Sequence, residues 1–214
     1  MADRKYILTN EIMDFFGRKL YRIKAVKDFG DVKAGDLGGW LESENNLNHS
    51  GCCWVYNEAK VYGNAQVYCD AKIYDSAEIF GNAKVYCNAK VRNNAIIFGN
   101  AVIFGYAEIF GNAEVWDTFV RDNATVYGNA KVYGNAHICG DAKIEFDKDY
   151  AVFKNTWSSF RYFTWTRSNN MWEVGCFYGT GEELIAKAYK DSELSGKCYE
   201  AIVKVQEEIS KLTN

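Results

Sequence analysis

From Val55 to Lys143 the chain reads VYNEAK VYGNAQ VYCDAK IYDSAE IFGNAK VYCNAK VRNNAI IFGNAV IFGYAE IFGNAE VWDTF VRDNAT VYGNAK VYGNAH ICGDAK. Ten six-residue units are followed by one of five, Val115–Phe119, and then by four more of six. Val or Ile opens all fifteen units, and Ala holds the fifth place in every unit but the short one, where the count puts Phe119. A helix cannot use this pattern. At about 100° per residue, successive unit openings step round the cylinder by roughly 120° and form no stripe. A strand can use it, because the fifth residue of one unit and the first of the next lie two apart and point to one side. The Gly-Asn pair between them tolerates positive φ and makes a corner.

This array resembles the hexapeptide repeat of left-handed parallel β-helices. The resemblance implies that three units make one triangular coil, with the aliphatic and small residues facing inward. Fifteen units then make an all-β solenoid of about five coils, about 24 Å tall at ~4.8 Å per strand. It implies three domains: a β leader or cap over 1–54, the repeat over 55–143, and a small α+β appendage over 144–214. Residues eighteen apart should stack. One corner then carries Tyr62, Phe80, Phe98, Trp116 and Tyr133; a second Tyr56, Tyr74, Arg92, Phe110 and Tyr127; the third Tyr68, Tyr86, Phe104, Arg121 and Cys139. Two readings of these corners stand side by side: a stiffening aromatic ladder, or a surface for a partner or planar ligand. Arg92 and Arg121 fit cation–π packing or an anion site. Sixth-position charges should pair along the stack, as Lys60 over Glu78, Lys90 over Glu108 and Glu114 over Lys131. Ile96 and Val102 put apolar groups on that wet face and are candidate subunit contacts. The short unit is either a neutral irregularity or a pocket lined by Trp116, Asp117, Phe119 and Arg121. Cys69 and Cys87 stack and could bond or stay reduced.

Before the repeat, Tyr6–Thr9 and Lys19–Lys27 read as strands, and 29–41 as a turn-rich stretch whose glycines match neither the dinucleotide fingerprint nor the P-loop. Leu47 and Cys53 keep the six-residue step, so an imperfect coil is expected from about 43. After it, 150–178 is dense in aromatics and reads as a small antiparallel sheet with a hairpin at 168–170. Lys154, Arg161, Trp165 and Arg167 there have the makeup of a nucleotide platform, or of an aromatic core with solvated Arg. Thr180-Gly181-Glu182-Glu183 is a capping box opening one helix. In a second, Ser195–Leu212, the steps Cys198, Ile202, Val205, Ile209, Leu212 make a heptad seam, which either packs on the sheet or self-associates.

The whole chain has 214 residues, a net charge of −3, seven Cys, two His and no Pro. That balance argues against duplex nucleic acid. The odd Cys count without a CxxC pair fits a reduced cytoplasm. No apolar run is long enough to span a membrane, and no apolar leader is visible. The three-His zinc site of the carbonic anhydrases with this fold is not expected from His49 and His137, which lie about 23 Å apart in height by strand spacing. No metal or cofactor is expected.

Two functions from different classes follow, besides a plain structural or assembly module. The leader and the VYGNA array resemble phage and prophage proteins. That implies a non-catalytic oligomer, trimeric by resemblance, in the cytoplasm of a bacterial host, which sequesters a small nucleotide-like defence signal. Arg92, Phe104, Trp116, Asp117, Phe119, Arg121, Lys154, Arg161, Trp165 and Arg167 are its candidate ligand residues, with Ile96, Val102, Ile202, Val205 and Ile209 at the interface. The alternative is a hexapeptide-repeat acyltransferase with an acyl-CoA-type donor and His137 as general base.

Overall fold

The computed structural model describes residues 4–213. Its body is a parallel β-solenoid of about six turns built from strands of two or three residues, from β4 (Trp54–Val55) to β19 (Lys143–Ile144). Strand pairs are eighteen residues apart and in register, as in Lys60↔Glu78 and Val61↔Ile79. The Val, Ile and Ala positions fill the interior, with Ala59 through Ala142 and Val61 through Ile144 removed from solvent. A methyl group at the fifth position is as large as the narrow interior accepts beside a branched neighbour.

The third position of most units adopts positive φ, whether Gly (Gly81, 70°) or not (Cys87, 57°; Asn93, 60°). At Gly99 a Cβ would fall 2.6 Å from Asp117 Oδ1, so that corner also needs glycine for space. The Asn at the fourth position does something else. Its side-chain amides run up the corners as ladders, Asn64 Nδ2 donating to Asn82 Oδ1 at 3.1 Å and Asn82 Nδ2 to Asn100 Oδ1 at 3.2 Å.

The solenoid has one more turn than the five expected, and it starts earlier than 43. The stretch read as turns contains β3 (Leu37–Leu41), whose Trp40 pairs in parallel with Lys60. Leu47 bridges to Val67, and β4 completes the turn. The stretch before Val55 lacks full hexads, yet Leu47 and Cys53, which keep the six-residue step, are buried like their repeat counterparts. A hairpin, β1 (Tyr6–Phe15) and β2 (Arg18–Ala25), extends the same sheet antiparallel to β3. β1 runs well past the expected Tyr6–Thr9, while β2 starts one residue before the expected Lys19–Lys27 and ends two before it.

In the short unit the inward place belongs to Thr118, 2% exposed, while Phe119 takes the outward sixth position at 41%. The missing residue is therefore the corner Asn, and Phe119 pairs with Val102 below and His137 above. Overpacking is avoided by shortening the corner.

At the other end the last turn would leave unpaired N–H groups. Side-chain oxygens from the appendage accept from them: Asp147 from Lys131 N at 2.7 Å, Tyr150 from Tyr133 N at 3.1 Å, Thr164 from His137 N at 2.9 Å and Ser168 from Lys143 N at 2.7 Å. These come from a four-stranded antiparallel sheet and its connections: β20 (Tyr150–Lys154), β21 (Tyr162–Thr166), β22 (Met171–Val174) and β23 (Phe177–Gly179). One face, with Phe163, Trp165, Trp172 and Val174, packs on helices α1 (Gly181–Asp191) and α2 (Glu193–Leu212). The capping box at α1 forms, Thr180 Oγ1 accepting from Glu183 N. In α2 the buried residues are Gly196, which faces Tyr189 of α1, Val203 and Gln206, and Tyr199 packs on Phe163 of the sheet. The heptad seam is only partly used: Ile202 is half-buried against the same cluster, and Val205, Ile209 and Leu212 are exposed.

Candidate functional site

Strands β15 (Phe119–Val120) and β18 (His137–Ile138) lie on one lateral face of the solenoid. Ile138 points in, so its neighbour His137 points out. Pairing across the appendage sheet sets Thr164 opposite Glu173, and Phe163 opposite Val174. Alternation then sends Phe163 and Val174 to the helices and turns Thr164 and Glu173 toward the last turn.

Glu173 is buried there with three partners. Its Oε1 lies 3.1 Å from His137 Nδ1 and accepts from Arg121 Nη2 at 3.0 Å; its Oε2 accepts from Cys139 Sγ at 2.6 Å. Burial alone would push the carboxyl pKa up, but the hydrogen bonds from His137, Cys139 and Arg121 outweigh it and hold it below the usual range. An ionised carboxylate only accepts, so Nδ1 carries a proton, and in the neutral ring Nε2 is then the nitrogen with the lone pair. The imidazole is 36% exposed. Phe119 lies against it, ring centroids 4.8 Å apart. Burial, then the Glu173 contact, raises the Cys139 pKa, so that group stays a thiol and donates. The assembly is a base with an oriented partner, open to solvent on one side.

The sequence pointed to His137 and Arg121 but missed Glu173, Thr164 and the part Cys139 plays. The available signal was the strand Met171-Trp172-Glu173-Val174, in which a Glu falls on the face opposite two large apolar residues.

The other candidate residues do not converge on this point. Trp116 sits in its corner ladder between Phe98 (5.2 Å) and Tyr133 (4.6 Å), and Phe104 stacks on Tyr86 (5.1 Å). Asp117 caps Asn100 N at 2.8 Å. Trp116 and Asp117 therefore occupy one corner and Arg121 another, with Phe119 on the face between them. Arg92 lies over Phe110 at 4.4 Å and donates to Glu108 at 3.1 Å. Arg121 also pairs with Asp122. In the appendage, Lys154 lies over Tyr162 and Arg167 over Trp165. Arg167 also faces Asp149 and donates to Thr213 at 2.9 Å. Trp165 is buried, with Arg167 over its ring, so no face is left for a ligand. Arg161 borders a small cavity of about 100 Å³ with Cys176, Phe177 and Lys187. Ile96 and Val102 are half-buried on the lateral faces. His49 belongs to the opposite end, stacked on Tyr6 at 4.3 Å. Cys69 and Cys87 carry free thiols.

No family model matches the chain. Over 63 residues it is 41% identical to an uncharacterized acetyltransferase, YdcK, of Escherichia coli strain K12. The match covers 26% of this chain and 19% of that relative, so the chain spans less than a fifth of the length of the curated protein it resembles.

Proposed function

We propose that this chain is an acyltransferase of the hexapeptide-repeat kind, moving an acyl group from a thioester donor to a hydroxyl or amine acceptor. The observation that carries this reading is the 3.1 Å contact between His137 Nδ1 and the Glu173 carboxylate. Nε2 takes the acceptor's proton as its oxygen or nitrogen attacks the thioester carbonyl. Glu173 holds the ring in the tautomer that leaves Nε2 free and stabilises the imidazolium that forms, and the ring returns the proton to the departing thiolate. Arg121 and Cys139 fix the second carboxylate edge, so Glu173 does not rotate away. The likeness to an acetyltransferase supports the same reaction class. An acyl-CoA is the donor this reading takes. The site is open on its lateral side, where a trimer would set a neighbouring prism.

Sequestration of an anionic nucleotide is less well supported. Arg92, Arg121 and Arg167 are already matched by Glu108, by Glu173 and Asp122, and by Asp149. A phosphate would have to compete with these carboxylates.

The test is thiol release from acetyl-CoA and longer acyl-CoAs against a panel of amine and hydroxyl acceptors. Turnover that disappears in His137→Ala is expected. A nucleotide that binds tightly and returns unchanged, with no thioester turnover, would replace this reading by sequestration.

A further inference from the structure

At the end of the solenoid opposite His137, the cap buries an amine against a thiol. Lys5 is 1% exposed and Cys53 is fully buried. Lys5 Nζ donates to Cys53 O at 2.8 Å, Gly51 O at 3.2 Å and Cys53 Sγ at 3.1 Å. Among the described residues no carboxylate pairs with this Nζ. The Cys53 S–H in turn points to Asn48 O at 3.4 Å. A sulfur lone pair thus faces the nitrogen across a short gap from which bulk water is excluded. A cavity of about 420 Å³, lined by Lys5, Phe29, His49 and Gly51 among others, lies beside the pair and gives small molecules a route to it.

Buried ammonium groups are normally matched by an acidic partner, because carbonyl dipoles alone compensate desolvation poorly. Here the amine has carbonyls, a thiol and the face of the Phe29 ring at 5.0 Å. The nitrogen lies 3.1 Å from sulfur, and the hydrogen bonds to the Gly51 and Cys53 carbonyls hold it there, within reach of one bridging atom.

We propose that Lys5 and Cys53 form a reversible covalent bridge, Nζ–O–Sγ, when the protein meets dioxygen. In the bridging step the S–H bond, one N–H bond and the O–O bond break. One oxygen atom joins sulfur to nitrogen, and the other leaves as water with the two hydrogens. Sulfur and nitrogen each give up two electrons, and the two oxygen atoms take up the four. A thiol reductant reverses the step by returning those electrons and releasing the bridging oxygen as water. The bridge closes a loop from residue 5 to residue 53 and ties the cap to the first turn, restricting the unfolded chain as a disulfide does. It does not depend on the reaction proposed for His137.

The full chain is held in oxygenated buffer or under anaerobic conditions, and its peptides are mapped by mass spectrometry. The expected result is one species after oxygen exposure: the Lys5 and Cys53 peptides joined, heavier than their sum by one oxygen less two hydrogens. It should vanish with dithiothreitol and raise Tm relative to the anaerobic sample. Cys53→Ser, close in size, should keep the fold and lose both the species and the Tm rise. Recovery of Lys5 and Cys53 unmodified after oxygen exposure overturns the proposal. So does oxygen gained at Cys53 with Lys5 free, or the same mass shift in Lys5→Met.

Discussion

His137 Nδ1 and Glu173 Oε1 meet at 3.1 Å although 36 positions separate them in the chain. The histidine belongs to the last turn of the solenoid and the glutamate to the sheet that covers it. The same contact therefore docks one unit on the other and orients the candidate base. Replacing His137 by Ala should lower acyl transfer by about 10²–10⁴-fold. Glu173→Gln, which keeps the shape but no longer enforces the tautomer, should lower kcat more than it changes KM. Steady-state thiol release measures both. Equal turnover in all three proteins would remove His137 from the mechanism.

Acid should loosen the appendage. The folded-state pKa of Glu173 is depressed, so its contribution to stability is fully present above its unfolded value, about 4.3, and is lost as pH falls through the lower folded value. Trp165 and Trp172 lie in the appendage core and report its integrity by fluorescence. Their signal should hold from neutral pH down to about 4 and change below it. Glu173→Gln should flatten that part of the curve.

Arg92 interrupts an otherwise aromatic stack between Tyr74 and Phe110. Arg92→Tyr should continue the ladder and stabilise the solenoid by about 0.5–1.5 kcal/mol, read from denaturant midpoints. A loss of stability would mean that the Arg92 contacts with Phe110 and Glu108 are worth more than a ring.

Thr164 Oγ1 accepts from His137 N at the uncovered edge of the last turn. Thr164→Val keeps the volume and leaves that N–H without its acceptor, at a cost of about 1–3 kcal/mol. Hydrogen exchange at His137 should quicken in the variant, while exchange at Val85, in the middle of the solenoid, stays unchanged.

Helix α2 offers a paired comparison. Val203 is 2% exposed and Val205 is 50% exposed. Val203→Ala should cost about 1.5–3 kcal/mol, and Val205→Ala less than about 0.5 kcal/mol in dilute solution. A larger loss at Val205 that grows with protein concentration would mark the seam of Ile202, Val205 and Ile209 as a contact between copies.

The repeat and its consequences were legible from residues alone. Inward Val, Ile and Ala, corner stacks such as Tyr62 on Phe80 at 5.0 Å, and the Lys60–Glu78 pair at 3.4 Å all follow from a local rule applied fifteen times. Where that rule lapses, the residues alone say less. The stretch through β3 has no hexads and reads as turns, although Leu47 and Cys53 keep the six-residue step after it; in the short unit the count puts Phe119 fifth, and only the structure shows that the corner Asn is the residue missing. The orientation of α2 also lay beyond the sequence, since Val203 and Gln206 are buried while Val205, Ile209 and Leu212 of the apolar seam stay exposed.

Sequence by itself determined the solenoid, because side-chain direction in a short strand depends only on neighbours one and two positions away. Only tertiary structure decided the candidate site. Glu173 reaches His137 because a separate antiparallel sheet must satisfy the open N–H groups of the last turn, and no local pattern encodes which of its side chains then faces inward across that junction.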